Sequence, residues 1–331
     1  MKAVTLVATH ELEVVDDWLE PECGPRDVIV EMHGVGLCGT DLASYDGKSV
    51  PARLPWVMGH EGGGTIVAVG SQVTDRQVGQ KVVIEPNIAC GHCAACRAGR
   101  TSVCDSKLGV GFAIPGLLAE RVAIDADYTL VVDDDLPDVA LACFEPLVVA
   151  DTAVRRSGLP AGGEALVIGA GSVGQLVSQA IAAAGATPWI VDPHEGRLAL
   201  AESLGARRAE LGDGRQYPFV FETSGAAAVW GAAIGSVVKG GLLVLVGFIR
   251  DEVKLTPVDL VRRQITIRGH LTYDHPKDFA ATLEAVRSGK LVAQQAVRAE
   301  YPAADAKAAF AAVREVPGKT WINFEEWRRA R

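Results

Sequence analysis

The chain is predicted to be an α/β protein in two parts, a β-rich part drawn from both chain ends and a doubly wound parallel-sheet part between them. Three observations predict it. Up to about residue 148 short alternating apolar segments are punctuated by Gly and Pro, which is the texture of antiparallel strands. From Glu164 apolar strands alternate with Ala-rich helices, which argues for βαβ units on a parallel sheet. Near Tyr273 the first texture returns. The β-rich part is therefore expected over residues 1–148 and 273–331, and the parallel-sheet part over 149–272.

The elements follow in order. Residues 3–8 are apolar and soon broken by His10, Glu11 and Glu13, a first strand rather than a secretory signal. Residues 28–33 and 64–69 alternate as half-buried strands do. In the second part, strands are expected at 165–168, 189–191 and 219–221, with a helix over 172–184 ended by Gly185. Pro188 stands at the start of its strand, where a missing N–H is tolerated. Residues 278–289 pattern as an amphipathic helix, and 320–324 as a last strand able to rejoin the first part. With 331 residues, 49% hydrophobic and 22% charged, the chain can bury two sizeable cores.

Charge excludes some partners. The net charge is −9 and no Lys/Arg run exceeds a pair such as Arg328-Arg329, so neither nucleic acid nor an anionic membrane surface is an expected partner. The most apolar stretch, 241–249, is bounded by Lys239 and Arg250 and is too short to span a bilayer. A cytoplasmic protein is expected.

Cys90, Cys93, Cys96 and Cys104 fall within fifteen residues as Cys-x2-Cys-x2-Cys-x7-Cys. Four thiolates at this spacing suit one tetrahedral zinc, and a complete four-sulfur shell leaves no open position. This lobe, about residues 86–106, is expected to be structural. The competing reading is a redox pair or two disulfides, which fits four closely spaced thiols less well. The chemistry is then to be sought among Cys23, Cys38 and Cys143.

In the second part a strand runs into Gly169-Ala170-Gly171-Ser172-Val173-Gly174. Gly169 serves the tight turn, Gly171 the approach of a pyrophosphate and Gly174 the packing of helix on strand. The helix N-terminus at Ser172 and Val173 supplies the anion site. Eighteen residues beyond Gly174, Asp192 ends the next strand, placed to bind the ribose hydroxyls and to repel a 2′-phosphate. NAD is expected over NADP. Arg197, five residues on, either leans over the adenine or neutralises such a phosphate.

In the first part Cys38-Gly39-Thr40-Asp41 and Gly59-His60-Glu61 set metal-capable side chains among glycines, and Glu145 stands in Phe144-Glu145-Pro146. Thiolate, imidazole and carboxylate together make a zinc site with an open position. Asp41 is able to accept the other ring N–H of His60 and fix its tautomer. Each also has a plain reading: an inert thiol, a surface His-Glu pair, a loop acid.

Gly59-His60-Glu61-x-x-Gly64-x5-Gly70-x2-Val73, with Cys38-Gly39-Thr40-Asp41 before it, the four-cysteine lobe after it and the glycine fingerprint beyond, resembles the zinc-dependent medium-chain dehydrogenase/reductase family over essentially the whole chain. The resemblance implies a GroES-like catalytic domain from both chain ends, an inserted Rossmann domain and an active site in the cleft. It implies hydride transfer between a small-molecule alcohol or ketone and a nicotinamide. It also implies Cys38 and His60 on a catalytic zinc, two zinc ions per subunit, and a homodimer or homotetramer. Glu145-Pro146-Leu147 followed by Val154-Arg155-Arg156 resembles the sorbitol and threonine dehydrogenase branch, where simple alcohol dehydrogenases place a cysteine. The third ligand is then Glu61 or Glu145, one at a time.

That branch implies oxidation of a secondary hydroxyl of a polyol, sugar, cyclitol or amino alcohol, with zinc as a Lewis acid and Thr40 taking the hydroxyl proton. Tyr45 is a candidate substrate contact. Two departures stand out. Ala43 replaces the histidine that often passes the proton to solvent, and only 207–218 remain where the family usually fits another crossover helix. Specificity is expected in loops 46–55, 109–118 and 270–275. A simple alcohol dehydrogenase of the same family is one competing reading; a non-catalytic NAD-responsive binding protein is another.

Overall fold

A computed structural model of the chain describes residues 1–49, 51 and 53–329. It divides into two compact units, one of Met1–Glu145, Asp274–Val286 and Val292–Arg331, the other of Pro146–Tyr273 and Arg287–Leu291.

The first unit is built on a seven-stranded sheet. Thr129–Val131, Lys81–Ile84, Glu61–Val69, Asp27–Gly36, Lys319–Asn323 and Val297–Pro302 follow one another across it, and Arg121–Asp125 also pairs with Asp27–Gly36. Only Val297–Pro302 and Lys319–Asn323 pair in parallel; every other pair is antiparallel. The last strand thus rejoins the first part, with Trp321 opposite Gly36. A second sheet orders Glu11–Val15, Ala3–Ala8 and Trp56–Val57. Val28, Val30, Met32, Val35, Ile66, Phe310 and Ile322 fill the core that results.

The second unit holds a six-stranded, all-parallel sheet in the order Arg207–Arg208, Thr187–Val191, Glu164–Ile168, Tyr217–Glu222, Val237–Leu245, Thr266–Gly269. The fingerprint helix spans Ser172–Ala183. The segment from 207 to 216 carries the short strand and turns but no helix, so the crossover helix expected to be missing is missing.

The plain reading of Glu145 as a loop acid does not hold: it lies within a twenty-residue helix, Asp138–Ser157, that carries Pro146 inside it. A proline lacks the N–H that would bond the carbonyl four residues back, here Ala142. That carbonyl faces Gly36, where an added Cβ would come 2.2 Å from the oxygen. The helix and the central strand of the sheet meet where a side chain at 36 has no room. No helix of the described residues is long and apolar enough to cross a membrane.

Candidate functional site

Strand ends bring the metal-capable residues together. Asp27–Gly36 runs out two residues before Cys38, and its last residue, Gly36, is in register with Glu61, the first of the neighbouring strand. Cys38 caps the short helix Gly39–Tyr45, and Asp41 in its first turn reaches back to accept the Cys38 amide at 3.0 Å. One sulfur, one imidazole nitrogen and one carboxylate oxygen of Cys38, His60 and Glu61 all lie within 4.8 Å of one another. This donor set fits a tetrahedral zinc ion with one position left for water or substrate.

The surroundings fix these side chains. Asp41 is buried; its Oδ1 accepts the Gly59 amide at 3.1 Å and sits 3.4 Å from His60 Nδ1, ion-pair range but long for a hydrogen bond. Burial raises the Asp41 carboxyl, yet the His60 ring and the Cys38 and Gly59 amides outweigh it and hold the pKa below the usual range. Burial likewise depresses His60, but the charges of Asp41 and Cys38 overcome it and lift the imidazole well above its usual value. Thr40 Oγ1 donates to Cys38 Sγ at 3.2 Å and lies 3.4 Å from His60 Nε2. The hydroxyl therefore stands within the donor cluster.

Not every candidate joins them. Among the described residues Glu145 is outside the group of mutually close donors, although it too is buried. Tyr45 donates its hydroxyl to the His10 carbonyl and packs on Phe310, so its ring is committed to the core. Cys143 is fully buried, and burial pushes its thiol up to about 12, which makes it inert. Cys23 is exposed and its thiol is raised as well. Of the loops named for specificity, 46–55 includes Val50 and Ala52, which lie outside the described residues. Phe112, from 109–118, sets its ring 4.9 Å from that of His60. In 270–275, His270 sits 3.0 Å from the Val149 carbonyl, and His275 pairs with Glu85 at 2.9 Å and stacks on Tyr128.

Lys319 is the residue that sequence reading passes over. It is 1% exposed and donates to Glu61 Oε2 and, at 3.1 Å, to the Leu37 carbonyl. The carboxylate that could reach a metal is thus also held by a buried cation. The only local signal was a charged residue at the head of the last strand.

Cys90, Cys93, Cys96 and Cys104 also place their sulfurs within 4.8 Å of one another, and none of the seven cysteines is in a disulfide. The amides of Cys93 and Cys96 point at the sulfurs of Cys90 and Cys93, each at 3.4 Å. The Cys96 amide leads in drawing the Cys93 thiol down to about 6, while desolvation foremost pushes Cys96 up to about 12. Four sulfurs so close fit a single divalent ion that favours all four thiolates. The lobe is tied down by residues 274–275: Asp274 Oδ1 accepts the Ser102 amide at 2.9 Å, and Thr101 Oγ1 accepts the His275 amide at 2.7 Å.

In the second unit a Cβ on Gly174 would meet the Gly169 carbonyl at 1.9 Å, and one on Gly169 would meet Ser224 at 2.9 Å. A Cβ on Gly171 would meet nothing within 4 Å, so no neighbour in the chain demands a glycine there. A pyrophosphate seated on the turn supplies that demand, so the turn fits a dinucleotide. Asp192 accepts the Ala170 amide through Oδ2 and the His194 amide through Oδ1, both at 2.8 Å, and Arg197 Nη1 is 4.0 Å away. Each oxygen keeps a further lone pair for a hydroxyl. Gln175, unnoticed in the sequence, is buried and donates to the Ala170 and Arg197 carbonyls, both at 3.0 Å. It staples the glycine turn to the next helix.

Replacing Lys319 by Met leaves the Glu61 carboxylate buried without its cation, which costs about 3–5 kcal/mol. Urea denaturation of Lys319→Met should register this loss, and the double variant with Glu61→Gln should recover much of it. If the single variant is as stable as the wild type, the pair does not hold the strands.

The comparisons agree with this arrangement. Residues 24–134 match the alcohol dehydrogenase GroES-like domain, and residues 172–288 match the zinc-binding dehydrogenase family. An L-threonine 3-dehydrogenase of Chelativorans sp. (strain BNC1) is 36% identical over 255 residues, 70% of this chain and 73% of its own. The crystal structure of 2R,3R-butanediol dehydrogenase from Bacillus subtilis superimposes with a TM-score of 0.88 at 29% identity, covering 97% of this chain and 99% of that one. A zinc-binding dehydrogenase structure from Sinorhizobium meliloti 1021 bound to NADP gives 0.87 at 26%, with 97% and 98% covered. With a GroES-like unit, a Rossmann unit and two sets of zinc-type donors in one chain, the protein belongs to the zinc-type medium-chain dehydrogenase family and is a zinc-containing alcohol or polyol dehydrogenase.

Proposed function

We propose that the chain oxidises a secondary alcohol whose neighbouring carbon carries a second heteroatom, as in a polyol, sugar, cyclitol or amino alcohol, with NAD as coenzyme. The observation that carries this reading is Glu61 beside Cys38 and His60. A carboxylate in the donor set suits a wet, polar site, and a substrate with two heteroatoms is able to use both the metal and the ordered water there. Two relatives support it: L-threonine carries its hydroxyl beside an amino-bearing carbon, and butane-2,3-diol is a vicinal diol.

Cys38, His60 and Glu61 would hold the catalytic zinc, with Glu145 the alternative carboxylate. The four lobe cysteines would hold a structural one. When bound, zinc supplies a Lewis acid that acidifies a hydroxyl, and the nicotinamide supplies the hydride acceptor. Thr40 takes the hydroxyl proton from within the donor cluster, and Asp41 orients His60. Ala43 has no group to carry the proton further from Thr40. Phe112 covers His60 and keeps water from that side of the ring. Gly169, Gly171, Ser172, Val173 and Gly174 would cradle the pyrophosphate, and Asp192 would receive the ribose hydroxyls.

Elemental analysis is expected to find two zinc ions per chain. Cys38→Ser loses one of them and the activity while the fold survives; Cys96→Ser loses the other and lowers the melting temperature, because metal binding there is folding energy. One zinc in the fully loaded wild type rules out this assignment.

NAD is expected to give the higher kcat/KM than NADP, and Asp192→Ala to narrow the gap by removing both hydrogen bonds and charge repulsion. Equal or better use of NADP by the wild type assigns the pocket to Arg197 instead.

For the substrate, specificity constants for threonine, butane-2,3-diol, sorbitol, xylitol and inositol are to be compared with those for ethanol and butan-2-ol. A site built to bind a second polar group rejects the analogue lacking it by orders of magnitude, since its own groups are left unpaired. A better constant for butan-2-ol than for every difunctional alcohol refutes the proposal and leaves a simple alcohol dehydrogenase.

A further inference from the structure

Glu222 ends the strand Tyr217–Glu222, in register with Ile168 on one side and Leu245 on the other, at the carboxyl edge of the parallel sheet. Its side chain is 0% exposed, and among the described residues no Lys, Arg or His pairs with it. Oε1 accepts the amides of Ser224 at 2.8 Å and Gly225 at 3.0 Å together with the Ser224 hydroxyl; Oε2 is buried with no partner. A buried carboxylate satisfied only by neutral donors, with one oxygen bare, is a costly choice for a turn that a serine or asparagine could make.

The place it occupies explains the choice. The Glu222 carbonyl accepts the amides of Val246 at 2.9 Å and Gly247 at 2.8 Å, so one residue binds two successive loops of the sheet edge, one through its side chain and one through its backbone. The Thr223 hydroxyl lies 3.0 Å from the Ile168 and Gly169 carbonyls, and Ser224 sits where a Cβ on Gly169 would be. A Cβ on Gly247 would come 2.4 Å from the Gly225 amide nitrogen and 2.7 Å from Glu222 Oε2. The loops after three neighbouring strands are thus stacked on one another around this carboxylate. Ligands of open parallel sheets bind at that edge.

We infer that Glu222 is a positioning residue for the coenzyme. It fixes the 223–225 turn under the glycine fingerprint and latches it to the 246–248 turn, so that both stand ready before the dinucleotide arrives. The inference rests on the reading of the second unit as the dinucleotide site. Its energetic expression is preorganisation: without the carboxylate, binding has to order those loops.

The test is calorimetric titration of the zinc-loaded full-length chain with NADH and NADPH, beside steady-state kinetics, for wild type, Glu222→Gln, Glu222→Asp and Glu222→Ala. Glu222→Gln and Glu222→Ala are expected to weaken binding of the better coenzyme about tenfold and raise its KM in parallel, with a much smaller fall in kcat at saturation. Glu222→Asp, whose carboxylate still reaches the amide two residues on, is expected to regain most of the affinity. Binding by Glu222→Gln within about twofold of wild type overturns the inference, as does a loss of kcat without a rise in KM. If Glu222→Ala does not fold, the Gln and Asp variants decide. Failure of the wild type to bind either coenzyme is a different result: it overturns the dinucleotide reading, and this inference with it.

Discussion

The buried pair of Lys319 and Glu61 is the interaction on which the candidate metal site depends. It joins residues 258 positions apart, at the head of the last strand and the head of the second long one. Buried ion pairs are weak sources of stability, because desolvating both charges cancels most of the attraction. What the pair contributes is placement. Lys319 also donates to the Leu37 carbonyl, and the Leu37 amide donates to Thr320 at 3.0 Å, so the peptide just before Cys38 is pinned on both sides by the closing strand. Thiol and carboxylate are therefore set against each other by the same three residues, before any metal is considered.

That dependence also explains the small residues around it. Gly36 lies opposite Glu61 in the sheet, with the Ala142 carbonyl where its Cβ would be and Glu61 Oε2 2.9 Å from that same position. A side chain at 36 would displace either the helix that carries Glu145 or the carboxylate that Lys319 holds. Pro146 fits the same logic, since its absent N–H leaves the Ala142 carbonyl outside the helix's own bonding. Glycine and proline here are the consequence of two carboxylate-bearing elements packed on one strand.

Local chemistry was legible in the sequence and distant pairing was not. The glycine fingerprint and the four-cysteine spacing draw their meaning from neighbours in the chain, and residue type and spacing picked them out, whereas Cys38 and His60 were paired only through the family resemblance. The alternation of apolar residues was also enough to separate antiparallel from parallel sheet. That Glu145 sits inside a helix was not legible, because a proline beside it is ordinarily a boundary. That Tyr45 packs on Phe310 was not legible, because nothing local reveals a ring so far along the chain. Lys319 offered no more than its place at the head of the last strand. Its role exists only once the strands have paired, and Gln175 likewise acts only in the folded chain, where its two acceptors belong to the glycine turn and to the next helix.

Three carboxylates buried to 1% exposure or less, Asp41, Glu61 and Glu222, sit beside turns and strand ends rather than in the middle of the sheets. Their compensation differs in kind. Glu61 has a full cation, Asp41 has an imidazole and two backbone amides, and Glu222 has only amides and a hydroxyl. A carboxylate matched by a fixed cation is indifferent to small movements of neutral neighbours, whereas one held by loop amides is only as well solvated as those loops are ordered. The two units thus use buried charge in opposite ways. In the first, charge is locked by charge, as a rigid donor set requires. In the second, charge locks backbone, as a site for a ligand that must enter and leave requires.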